Sequence, residues 1–324
     1  MEIRNERGAD LKRCWFEWIV FLFILIWFGW TAYEERATLL NLVLSIDLGM
    51  ALLSLLVLQS VLLLEVWVWK KVFTEAGYAL SFGNAFQIFY ISSLGRYIPG
   101  RIWQISSAVY LLHELGVPVA QSATLSIICQ FLSVVAAIVI SIPVLLAWLG
   151  SVGWNLGVVL SAGVGCALAA IIALFPSLWV GIINRVLRWA GRPKIQFSMR
   201  MRQIWKYGMI YATVWIAMGF AFATMIGSVH SFAPDMLPIA IGAFAFAYIV
   251  GYLVILVPGG LGVREGALAV ALAPFLSVPV ATSIALLARF WTTFGELIFV
   301  VLALWLRNRD KAEPLAGRQP DESI

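Results

Sequence analysis

The chain has 324 residues, of which 62% are hydrophobic and only 12% charged, where a soluble domain carries about 25% charged residues. With a mean hydropathy of +0.94, this excludes a soluble globular enzyme, a disordered chain and a nucleic-acid module. The net charge of +5 lies on short ends and one linker, so it is read as setting membrane orientation and attracting anionic head groups, with no nucleic-acid partner.

In chain order, Arg4, Arg7, Lys12 and Arg13 precede an apolar run, Trp15–Tyr33. A span needs about 20 apolar residues. No small-residue cleavage site clearly follows, so an uncleaved first span is expected. The second run is 42–69, followed by Lys70 and Lys71. Region 79–115 differs. It has an apolar arm, a break at Ile98-Pro99-Gly100 and a short amphipathic arm at 103–114. Runs 118–148 and 155–175 come next, then a linker, 176–206, with seven basic residues and no acid. Within it, residues 179–190 mix apolar bulk with Arg185 and Arg188, as in a helix lying on a membrane surface. After run 207–229, region 237–276 repeats the broken plan around Pro258-Gly259-Gly260, with a short arm at 264–275. The last run is 279–305, followed by Arg307, Arg309 and Lys311. Pro-Gly ends a helix, because Pro lacks an amide donor and Gly accepts unusual dihedrals. A short arm of about 12 residues rises roughly 18 Å, about half a membrane. The first arms, 79–98 and 237–257, are long enough to span.

The broken regions look like an internal repeat. Pro99-Gly100 and Pro258-Gly259 are 159 apart, as are Gly83 and Gly242, and Phe131 and Phe290. Val117-Pro118-Val119-Ala120 recurs as Val278-Pro279-Val280-Ala281, 161 residues on. Positive charge favours the cytoplasmic side. Placing every basic cluster and both termini there requires each broken region to enter and leave on one side, the first from the cytoplasm and the second from outside. The expected fold is therefore an all-α polytopic membrane protein, with six spans plus two re-entrant hairpins in inverted-repeat halves. The alternative, eight full spans with short arms on the surface, puts the basic linker outside. One membrane domain, 1–310, is expected, with halves at about 15–148 and 155–305, followed by a polar cytoplasmic tail, 311–324.

Non-helical backbone survives at membrane depth only where protein or a watery cavity shields it. The two breaks therefore point to an interior polar site. Arg96 and Arg101 flank the first tip, Pro99-Gly100. Arg264 and Glu265 follow the second, Pro258, Gly259, Gly260 and Gly262. The glycines allow close backbone approach, the helix start after each break offers amides to an anion, and arginine adds a fork suited to phosphate. The plainer readings are snorkelling for Arg96 and Arg101, and a turn-closing ion pair for Arg264. In the last span Arg289 and Glu296 lie two helical turns apart on one face. A mid-membrane Arg needs a partner, and Glu265 or Glu296 can serve. Together Arg96, Arg101, Arg264, Glu265, Arg289 and Glu296 form the candidate binding set.

The segments GRYIPGRIW (95–103) and VPGGLGVREG (257–266), with Ala288-Arg289-Phe290, resemble the transmembrane region of the lysylphosphatidylglycerol synthase family, also called flippase-like proteins. The resemblance covers roughly 15–305. It implies movement of an aminoacylated phospholipid between leaflets, the lipid being made by a separate soluble domain in the best-understood relatives. About 20 residues follow the last span, so translocation without synthesis is expected.

Other polar groups carry less. Asp47 and Glu65 fall near opposite ends of the 42–69 run and are expected at the interfaces. Gln130, Gln87, Asn84, Ser92 and Ser93 either line a polar path or make interhelical bonds. Cys14, Cys129 and Cys166 have no disulfide or zinc spacing and read as small hydrophobes. His113 and His230 stand far apart, and no metalloprotease, nucleophile-elbow or phosphate-loop motif occurs. No catalytic residue, metal or cofactor is expected. The reading is a plasma-membrane flippase for an anionic, aminoacylated or polyprenyl-linked lipid, driven by a gradient or by the lipid's own imbalance. Its rivals are an accessory subunit of a lipid-glycan or glycosyltransferase machine, and an enzyme acting on lipid phosphate with Glu265 as base.

Overall fold

The structure, a computed structural model, describes residues 33–98, 102–151, 200–254 and 257–312, with Ile26, Gly29, Trp30, Thr31, Arg185 and Arg188. Most of the expected first span, the expected span 155–175, most of the basic linker and tail residues 313–324 lie outside these, as do Pro99, Gly100 and Arg101. The described residues are helical, with no strand among them.

The run expected at 42–69 is two helices, α1 (Arg36–Leu44) and α2 (Leu48–Glu75). Asp47 separates them. Its carboxylate accepts a hydrogen bond from Met50 N at 3.0 Å, an N-cap that starts α2. Its own amide donates to Ser228 O at 2.7 Å. Apolarity located the run, but a side-chain cap set its start and moved the helix six residues toward the C-terminus.

Ser81 caps α3 (Phe82–Ser93) in the same way, its hydroxyl accepting from Asn84 N at 3.0 Å. A 3₁₀ turn, Leu94–Tyr97, ends it, and α4 spans Ile102–Glu114. With 12 residues, α3 rises about 18 Å, so its helix is shorter than the arm expected at 79–98. The long α5 (Val119–Ser151) and α6 (Met201–Val229) follow, with Pro143 inside α5. The second broken region begins with a 3₁₀ turn, Pro234–Met236, leading into α7 (Leu237–Leu253). A second turn at Pro258–Gly260 and α8 (Val263–Leu272) complete it. The last helix is α9, Val278–Ala312. Five stretches among the described residues are long and apolar enough to cross a membrane: α2, α5, α6, α7 with its preceding turn, and α9. The chain is a multi-pass membrane protein.

Packing shows how the ends lie. The Gln59 amide donates to Gly295 O at 3.1 Å. A turn further along both helices, Tyr90 donates to Leu62 O and packs its ring on Phe299. Therefore α2 and α9 run parallel. Lys206 Nζ lies 2.6 Å from Glu75 Oε1, so α6 starts where α2 finishes. Arg307 reaches Glu114 at 3.2 Å, bringing the end of α4 to the same end of the bundle. The α3–α4 hairpin thus begins and ends there. The α7–α8 pair begins after α6 and ends before α9, at the opposite end. The two 3₁₀ turns, 94–97 and 258–260, meet between them. Partners cross over: α5 packs along α7, and α9 along α3.

The second turn depends on glycine. Gly259, Gly260 and Gly262 have φ of 59°, 66° and 75°, where a side chain is disfavoured. A Cβ on Gly260 would also come within 2.9 Å of Gly251 O, so the end of α7 presses directly on the turn.

Candidate functional site

Where the turns meet lies a cavity of ≈ 210 Å³, bordered by residues from α2 to α9. Three arginines (Arg96, Arg264, Arg289) and two glutamates (Glu65, Glu296) line it. Its walls are otherwise mostly aromatic, aliphatic and neutral polar.

Each arginine is held differently. Arg96, on the first turn, donates from Nη1 to Glu296 Oε1 on α9 at 2.8 Å. Tyr97 Oη donates to the other oxygen at 3.4 Å. This pair clamps the first tip to the last span, and both side chains keep partial exposure to the cavity, at 29% and 19%. Arg289 Nε lies 3.5 Å from Glu265 Oε1, and Nη1 donates to Gly259 O at 3.2 Å. That pair is deeply buried, at 10% and 5% exposure. It ties the second tip and the first turn of α8 to α9. A carboxylate there also suits the positive end of the α8 dipole.

Arg264 is the exception. Among the described residues no carboxylate lies within ion-pair distance of it. Its guanidinium sits 4.8 Å from the centroid of Phe244 and 5.7 Å from that of Tyr248, both on α7. Phe244 and Tyr248 are four residues apart on one helical face, so α7 offers a two-ring shelf. Gln130 on α5 donates to Tyr248 Oη at 3.0 Å, and Trp215 on α6 packs its ring, tilted by 55°, against the same tyrosine with centroids 4.6 Å apart. The rings attract the guanidinium but leave its N–H fork directed at no anion. A Cβ on Gly251 would meet Arg264 Cβ at 2.9 Å, so a glycine is needed beside it.

This cavity stands on the segments that carry the resemblance seen in the sequence: the first turn, the second turn with the start of α8, and Arg289 on α9. Residues 15–306 match the family described as the lysylphosphatidylglycerol synthase TM region. The chain belongs to that family. No curated protein matches it.

Of the six candidate binding residues, the family member brings Arg96, Arg264, Arg289 and Glu296 to one cavity. Arg101 and the tip residues Pro99 and Gly100 lie outside the described residues. Of the second tip, Gly259 borders the cavity while Pro258, Gly260 and Gly262 shape the turn. Glu265 is buried behind Arg289 and is not among the residues that border the cavity, because in α8 adjacent residues point to different faces. The two partners offered for Arg289 are resolved to Glu265, leaving Glu296 for Arg96 across the bundle.

Glu65 departs from its expected place. It lines the cavity instead of an interface. With α2 ending at Glu75 rather than at 69, Glu65 lies ten residues from the helix end. A lone acid with only apolar residues for one turn on each side, 61–64 and 66–69, was the available signal. Of the neutral polar candidates, Ser92 and Gln130 line the cavity, whereas Ser93 is buried and bonds Tyr90 O.

Proposed function

We propose that this protein moves a lipid with an anionic head group between the leaflets of the plasma membrane, and does not alter it chemically. The observation that carries the reading is Arg264: an arginine at a helix start, stacked on two rings, facing a cavity, with no acidic partner among the described residues. A phosphate there would meet a guanidinium fork and the unbonded amides of the first turn of α8. The acyl or prenyl chains would stay in surrounding lipid. On this reading the two broken regions are re-entrant hairpins of inverted-repeat halves, and rocking of one half against the other exposes the cavity alternately. The crossed packing of α5 on α7 and α9 on α3 supports that arrangement. Both termini are then cytoplasmic, with membrane lipid the only partner that the mechanism requires.

The test is leaflet exchange of fluorescent phosphatidylglycerol in vesicles at matched protein density. Arg264→Lys keeps the charge but loses the fork, so exchange should fall partly. Arg264→Ala should lose it severely. One charge-assisted contact is worth about 1.5–3 kcal/mol, roughly 10- to 150-fold in affinity. Unchanged exchange in a well-folded Arg264→Ala protein would remove Arg264 from the site. A wild-type protein that exchanges no candidate lipid would favour the accessory-subunit role in a lipid-glycan machine. Conversion of the lipid to a new species would favour an enzyme.

A further inference from the structure

The cavity holds a carboxyl group that the transport reading leaves unused. Glu65 lies on the membrane-spanning α2, 17 residues from its start and ten from its end, and it lines the cavity. Among the described residues it makes no ion pair and accepts no hydrogen bond. Its neighbours are committed. Glu296 is held by Arg96 and Tyr97, and Arg289 by Glu265 and Gly259 O. Arg96, Arg264 and Glu296 line the same cavity as Glu65. Arg96 Nε is buried and has no hydrogen-bond partner. Among the described residues the guanidinium is thus bound through Nη1 alone, and it shares the cavity with two carboxylates, Glu296 and Glu65.

We propose that Glu65 is a proton-binding site, and that a proton on Glu65 and an anionic head group at Arg264 occupy the cavity together. This rests on the transport reading above. With Glu65 ionised, the three arginines and two glutamates of the lining leave one net positive charge, and a proton on Glu65 raises this to two. The protonated cavity attracts a phosphate more strongly, and by linkage the phosphate favours the proton by the same factor. Loss of the proton restores a carboxylate that competes for Arg96 and lowers the pull on the anion. The proton comes from and returns to water, and no bond other than the carboxyl O–H is made or broken. A gradient that is acid outside would then drive inward movement of the lipid.

The other groups facing this space define the background. They are Arg96 and Tyr97 on the first turn, Cys129 on α5, Tyr211 on α6, Tyr248 and Tyr252 on α7, Arg264 on α8, and Arg289 and Glu296 on α9. Tyrosine and arginine as residue types titrate above the range tested below. Glu296 is held by Arg96. Glu65 is the carboxyl group on the cavity that is free to change charge without breaking a contact.

The experiment uses the full chain in phosphatidylcholine vesicles containing a trace of fluorescent phosphatidylglycerol, between about pH 5.5 and about pH 8. Wild-type exchange should fall about tenfold as pH rises, and an imposed gradient should drive net movement toward the less acidic side. Glu65→Gln should flatten the pH profile and abolish the response to the gradient. The same profile in wild type and Glu65→Gln, with exchange present, overturns the proton site and leaves the transport reading standing. If Glu65→Gln does not fold, Glu65→Asp should shift the profile, and an unshifted profile overturns the proposal. Infrared titration of the purified protein reads the site without transport. A carboxyl band should grow on acidification and disappear in the Glu65 variant, and its absence in wild type overturns the proposal even if no lipid moves.

Discussion

The three cavity arginines do different work because their surroundings differ. Arg289 is at once ion pair and backbone clamp, with Glu265 on one side and Gly259 O on the other. Among the described residues neither Glu265 oxygen accepts a hydrogen bond, so Arg289 is what compensates its charge. Removing one partner of such a buried pair typically costs about 3–5 kcal/mol, because the remaining charge is stranded. Arg289→Ala should therefore lower the folded yield and thermal midpoint in detergent sharply. Adding Glu265→Gln should recover much of the loss, since the stranded charge is gone. A double variant no more stable than Arg289→Ala would show that the clamp on Gly259 O, not the ion pair, holds this region. The contrast with Arg264 is direct: its rings supply packing but no counter-charge, so its removal should cost exchange far more than folding.

At the scale of elements, close helix crossings are set by glycines, each against a named neighbour. A Cβ on Gly219 of α6 would sit 2.5 Å from the Ile241 Cα of α7. One on Gly95 would sit 2.6 Å from Gln104 N, across the first hairpin. Backbone cannot swing aside as a side chain can, so Gly219→Ala and Gly95→Ala should each destabilise by about 1–3 kcal/mol. Gly208, also on α6, has nothing among the described residues within 4 Å of its would-be Cβ. Gly208→Ala should be neutral or slightly stabilising, because alanine favours the helix by up to about 1 kcal/mol. Thermal midpoints of the three variants, ranked against wild type, check this, and equal losses in all three would mean that these crossings are looser than the contacts imply. The breaks themselves were legible in the sequence, since Pro-Gly beside apolar arms has few other meanings in a membrane chain. The helix ends were less so. Asp47 lies within a stretch apolar enough to read as one run, and only its bond to Met50 N reveals the cap that starts α2. That shift carried Glu65 from an apparent edge into the cavity. Pairing was legible as a requirement for partners, but choosing Glu265 for Arg289 and Glu296 for Arg96 needed the crossing of α9 over both tips. The ring shelf under Arg264 gave no signal, because Phe244 and Tyr248 sit in an apolar helix where any face would look alike.

The whole molecule has two unlike ends. Lys70, Lys71, Lys206, Arg307 and Arg309 gather where α2 and α9 finish, against Glu75 and Glu114. The opposite end, where α2 starts and α6 finishes, carries Asp47 and Asp235. On the proposed reading, the positive-inside rule assigns the basic end to the cytoplasm. It is the contact of Arg307 with Glu114 that gives this a sharp consequence, since it places the link between α4 and α5 at the basic end. Eight full spans would instead put that link outside, beyond a spanning first arm. Leu115 is exposed and follows Glu114 directly. With the native cysteines replaced, Leu115→Cys should resist a membrane-impermeant thiol reagent added to intact cells, and react once the cells are opened. Asp235→Cys, at the opposite end, should react without opening. Labelling of Leu115→Cys in intact cells, with Lys71→Cys still protected, would place the α4–α5 link outside and replace the paired re-entrant hairpins with eight spans.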